Sequence, residues 1–77
     1  MPLPLSQLQV NHAATIMSIH ASQELRRRLA GLGLRSGIHI KVIRQSPMNG
    51  PIQIRVGNTD LIMRRHDASH IEVCLAP

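Results

Sequence analysis

No phenylalanine, tyrosine or tryptophan occurs among the 77 residues. Aromatic rings are the bulkiest core fillers, so any core must be assembled from nine Leu, nine Ile, four Val and four Met. A chain this short buries only roughly 60% of its extended-chain surface. That leaves room for one thin core and excludes two, so residues 1–77 read as a single domain with a core over about 5–75. Cys74 is the sole cysteine; it can form no internal disulfide, which fits a reducing compartment. The longest apolar runs are three or four residues, far short of the ~20 that a membrane-spanning helix needs. Met1-Pro2-Leu3-Pro4-Leu5 has neither the basic start nor the long apolar stretch of a secretion signal. The expected location is the cytoplasm.

Acidic residues are also scarce. Glu24, Asp60, Asp67 and Glu72 face eight Arg and one Lys, for a net charge of +5. A basic balance suits nucleic acid, an acidic protein surface or an anionic membrane face, and equally suits plain solubility. No HExxH, Walker loop or GxSxG is present, and these motifs carry metal, phosphate and nucleophile chemistry. The expectation is a non-enzyme without a cofactor.

What is present is a change of period along the chain. Ala13–Ile19 is a strand candidate. From Ser22 onward, Leu25, Leu29 and Leu32 fall at i, i+4 and i+7, one face of a helix. Ser22 can cap the first turn. Gly33 suits the left-handed position after the helix, which places Leu34 against Leu29 in a Schellman motif. The helix is therefore predicted over about Gln23 to Gly31 or Leu32. Thereafter the period is two: Ile38-x-Ile40-x-Val42, Ile52-x-Ile54-x-Val56 and Ile71-x-Val73-x-Leu75 each read as half-buried strands. Ser46–Pro51, with Gly50 and Pro51, forms a hairpin turn. Thr59–Arg64 adds a short strand, and His66–Ser69 a single turn. Five short strands and one helix in so few residues predict a small, mainly β, antiparallel barrel that hides its edges.

The run Arg28-Leu29-Ala30-Gly31-Leu32-Gly33-Leu34-Arg35-Ser36-Gly37, followed by the alternating strand Ile38–Val42, resembles the FeoA (ferrous iron transport protein A) family. The family pattern is Arg-Leu-x-x-Leu-Gly-x-x-x-Gly before such a strand. The likeness continues through Pro51, Met63-Arg64, Ala68 and Ile71-x-Val73, and so covers most of the chain. Met63 stands where the family usually has Leu, and Ile62 where a small residue is common. The resemblance implies an SH3-like barrel with its helix inserted after the first strand. It also implies a cytoplasmic accessory of FeoB, the membrane ferrous iron transporter with a cytoplasmic G domain. The chain would then be peripheral to the membrane only through that partner, alone or as a homo-oligomer.

Each motif has a plain reading beside a functional one. Gly33 and Gly37 end a helix, where the dipole repels phosphate, so they are expected to serve the turn rather than a nucleotide. Arg26-Arg27-Arg28 is either a solvated face or a contact for an acidic partner, and Arg28 can alternatively bind loop carbonyls. The partner-binding candidates are Leu25, Arg28, Leu29, Leu32 and Leu34. His66, His70 and Cys74 are spaced as on a helix, yet a strand after His70 carries Cys74 ~13 Å away, too far for one ion. His70, Glu72 and Cys74 share the outward strand face and are the candidate metal ligands, needing a neighbouring strand or second subunit; the expectation is that they are ordinary surface residues. Two alternatives stand beside the transporter accessory: a basic barrel binding nucleic acid, disfavoured because no ring is present to stack on bases, and a metal-sensing dimer.

Overall fold

In a computed structural model, described for residues 2–75, the chain forms one six-stranded antiparallel sheet. Its strands are β1 (Pro2–Pro4), β2 (Ala13–Ile19), β3 (His39–Gln45), β4 (Ile52–Val56), β5 (Thr59–Met63) and β6 (Ile71–Leu75). Helix α1 (Gln23–Gly31) lies between β2 and β3, and the short α2 (Arg65–Ala68) between β5 and β6. The strand order is β1-β6-β2-β3-β4-β5. The sheet curls into a small SH3-like barrel.

Two features differ from the sequence expectation. The first is the extra strand β1, which pairs with β6 through Leu3 opposite Val73. Pro2 and Pro4 hide it from propensity rules, because proline cannot donate to a ladder and is confined to sheet edges. The second is closure. β1 pairs only with β6, and β5 only with β4, so both edges stay open among the described residues. The gap is spanned by the 3-10 turn Leu5–Gln7 and α2, where Arg65 Nη1 donates to the Ser6 carbonyl at 3.1 Å.

Irregular pairing gives the sheet its curvature. Met17 is a bulge between Ile16 and Ser18 on β2, and Ile43 a bulge between Val42 and Arg44 on β3. An extra residue bends a strand and increases its twist. The Met17 bulge also lets Ile16 and Ile19 both turn inward, while Met17 itself is half exposed. The core contains Leu5, Leu8, Ile16, Val42, Ile52, Ile54, Ile71 and Val73 among others, with no charged or polar residue buried among the described residues.

Helix α1 begins and ends as its residues dictate. Ser22 Oγ accepts from the Leu25 amide at 3.2 Å. At the other end Leu34 N donates to Leu29 O (2.9 Å) and Gly33 N to Ala30 O (3.0 Å), the paired bonds of a Schellman stop. Gly33 sits at φ +93°, and a Cβ there would meet only Val56 Cγ1 at 3.9 Å. Space is available, so the restriction is conformational. Gly33→Ala should therefore destabilise the fold by about 1–2 kcal/mol, seen as a lower urea midpoint with an unchanged slope, and Gly33→Asn by less. Gly37 also has positive φ (+90°). In the β3–β4 hairpin the left-handed residues are Met48 and Asn49, not Gly50. Gly50 is needed there for room: a Cβ would lie 2.7 Å from Ser46 Cβ. Pro51 O accepts from Ser46 N across the turn.

On the outer face of the β4–β5 hairpin, Arg55 Nε and Nη2 donate to Asp60 at 2.7 and 3.1 Å, and Gln53 adds a third bond. The Arg55 hydrogen bonds, aided by Gln53 and opposed by partial desolvation, hold the Asp60 carboxyl below its ordinary range. A depressed carboxyl stabilises the folded state above its unfolded pKa of about 3.9, and that stabilisation is lost as pH falls through the folded value. Asp60→Asn should thus lower the melting temperature at pH 7, with the gap to the parent closing in acid. A gap of equal size at about pH 2 would show that charge is not its source.

Candidate docking groove

The sequence pattern puts Leu25, Leu29 and Leu32 on one helical stripe, but the helix stops at Gly31. Leu32 occupies the cap position at φ −93°, ψ 1°, so the chain leaves the helical path there. The stripe splits as a result. Leu29 is 3% exposed and Leu34 is fully buried, whereas Leu32 remains 50% exposed. Leu25 is half-buried against the core.

Leu32 faces the open edge of the sheet. Between α1 and β5 lies a groove of about 330 Å³ with Leu29 and Met63 in its floor and Leu32 and Ile62 on its lips. Ile62 is 74% exposed. Arg28, Arg64 and Asp67 also line the groove. The Arg28 guanidinium forms no hydrogen bond or ion pair among the described residues, so the alternative in which it braces the loop carbonyls is not realised. Two exposed aliphatic side chains in one groove with two cations make a surface suited to an apolar anchor with carboxylates beside it. A second hollow, of about 380 Å³, lies across the helix between Arg26, Ser18 and Arg35; Ile19 is half-buried and Leu34 fully buried there.

Of the five partner-binding candidates, then, Arg28, Leu29 and Leu32 converge on the groove. Leu34 is a core residue, since the Schellman turn folds it back under the helix, and Leu25 packs on that core. Ile62, Met63, Arg64 and Asp67 were not singled out from the sequence as groove residues. A signal for Ile62 was nonetheless present. Leu61-Ile62-Met63 breaks the alternation of a half-buried strand, and the middle residue of such a run must point outward.

The metal candidates are placed separately. Glu72 accepts from Ser18 Oγ at 3.4 Å and lies 3.9 Å from His20 Nε2. Cys74 pairs in register with Thr15 and Pro2. No three His, Cys, Asp or Glu side chains converge among the described residues. His70 instead meets His66, with Nε2 atoms 3.4 Å apart. No helix among the described residues is long and apolar enough to cross a membrane.

Comparison with known proteins gives this geometry a family. The FeoA domain matches residues 3–74. A fusion of Fe(2+) transport protein A with the Fe(2+) transporter FeoB, from Porphyromonas gingivalis, is 30% identical over 90% of this chain, which spans only 8% of that protein. The solution structure of FeoA from Chlorobium tepidum superimposes with a TM-score of 0.90 at 36% identity, covering 97% of this chain and 71% of that one. FeoA from Stenotrophomonas maltophilia, described as a prokaryotic SH3-domain protein, gives a TM-score of 0.80 at 28% identity over 94% and 89% of the two chains. An SH3-like barrel with these spacings and a matching domain from end to end of the sheet places the chain in the FeoA family, which is linked to ferrous iron transport.

Proposed function

We propose that this chain is a non-catalytic cytoplasmic accessory of ferrous iron uptake, and that it docks through the α1–β5 groove on the cytoplasmic part of a FeoB-type transporter. The observation that carries the reading is the exposure of Leu32 and Ile62 in one groove that Arg28 and Arg64 also line. Leu32 and Ile62 are exposed within one groove and not singly, and contiguous apolar exposure is the mark of a contact surface. The transporter is the partner favoured by the Porphyromonas protein, in which a domain of this kind is joined covalently to FeoB. The complementary surface would present an aliphatic side chain for the groove and carboxylates for the two arginines. Proline-rich ligands do not fit, because they need aromatic-lined grooves and this chain has no aromatic residue.

Co-purification with the detergent-solubilised transporter, or with its cytoplasmic domain, tests the reading at physiological salt. Retention of the chain is expected, and its absence from the eluate would sink the proposal.

A further inference from the structure

The two histidines at the end of α2 form a second candidate site, distinct from the groove. His66 lies on α2, and helical geometry continues past it through Ser69 (φ −66°, ψ −18°). Residues four apart on such a turn share one face. His66 and His70 therefore meet, with ring centroids 4.9 Å apart, planes at 88° and Nε2 atoms 3.4 Å apart.

That separation fits two arrangements. One is a single long N–H···N hydrogen bond between neutral rings in edge contact. The other is a shared ion, since two imidazoles ligating one tetrahedral ion at ~2.0–2.1 Å hold their nitrogens about 3.3–3.4 Å apart, which matches. The backbone beneath the pair is fixed. Ala68, between the two residues, and Ile71, just after them, are both fully buried. Ser69 donates to the His66 carbonyl, and His70 O accepts from His20 N at 2.7 Å. Arg65, the nearest cation in the chain, is turned toward the Ser6 carbonyl.

We infer that His66 and His70 form a bidentate clamp for a borderline divalent transition ion, with water completing the shell. Imidazole pairs favour Zn²⁺, Ni²⁺ and Cu²⁺ and hold Fe²⁺ and Mn²⁺ more weakly, so the clamp is not selective for ferrous iron. The inference is independent of the docking role. Either can fail without the other.

Calorimetric titration of the untagged, metal-stripped full chain with Zn²⁺ tests it. Saturable binding of one ion per chain is expected. His66→Gln and His70→Gln should each weaken it by roughly tenfold or more, while His12→Gln leaves it unchanged. Amide spectra of the variants should retain the parent's dispersion, since His66 is exposed and His70 only half-buried. Absence of saturable binding, binding that survives both substitutions, or an equal loss in His12→Gln overturns the clamp.

Discussion

Leu32→Glu should abolish retention of this chain on a FeoB-type transporter while leaving its fold intact. The side chain is half exposed and stands outside the buried cluster. Its structural contribution is made by the backbone, whose N–H donates to Leu29 O at 3.0 Å. The only intrinsic penalty is a carboxylate near the helix C-terminus, about 0.3–1 kcal/mol. At a docked interface the same change removes a central aliphatic anchor and buries a charge. Truncation of such an anchor costs about 2–4 kcal/mol, a 30- to 1,000-fold loss of affinity on the ordinary scale. Ile62→Glu should act in the same direction. Arg28→Glu and Arg64→Glu should slow association most at low salt, as expected for charges that steer an encounter. Met48→Glu is the control, because Met48 is 98% exposed at the tip of the β3–β4 hairpin and lies outside the groove. Surface binding kinetics against the transporter's cytoplasmic domain would separate these effects. If Leu32→Glu and Ile62→Glu bind like the parent, or Met48→Glu fails with them, the groove is not the docking surface.

How much of this was legible in the sequence depends on the range over which each feature is determined. Helix α1 was readable at both ends because its signals are local: the Ser22 hydroxyl, the glycine at position 33, and the 3.6 spacing between. The period-two strands were readable for the same reason. β1 was not, since two prolines in three residues contradict strand propensity and only an edge position in the finished sheet tolerates them. The bulges at Met17 and Ile43 escaped as well, because a bulge is a relation between two strands. The groove required both kinds of information. Ile62 was visible as an out-of-phase apolar residue, but its meeting with Leu32 is set by how the sheet curls. Leu34 lies three residues beyond the helix, and its place against Leu29 in the Schellman turn, legible from Gly33, makes it core and not a docking residue. His66 and His70 follow the converse logic, as the helical turn persists to Ser69 and only then yields to the strand that carries Cys74 away.

Leu34→Ala should be among the most damaging single truncations in this molecule. Leu34 is fully buried, its amide closes the helix on Leu29 O at 2.9 Å, and both side chains belong to the central cluster. Removing a buried leucine side chain forfeits its transfer energy and leaves a cavity, together about 2–5 kcal/mol. The low end requires neighbours that can move in, and here they are short aliphatic side chains with no ring to swing into the gap. A cost near 3 kcal/mol is the expectation. Natural domains carry ~0.05–0.15 kcal/mol per residue, so a chain of 77 residues holds only about 4–12 kcal/mol in all. Leu34→Ala would remove between a quarter and most of it, a fall in melting temperature of about 12–24 °C at ~4–8 °C per kcal/mol. Leu32→Ala, two residues away and half exposed, should change stability by only ~0.5 kcal/mol. Urea unfolding of the two variants side by side gives the comparison. Similar costs for both, or a Leu34→Ala cost below about 1 kcal/mol, would mean that the Schellman turn does not divide core from surface here, and the assignment of Leu32 to a docking groove would lose its structural basis.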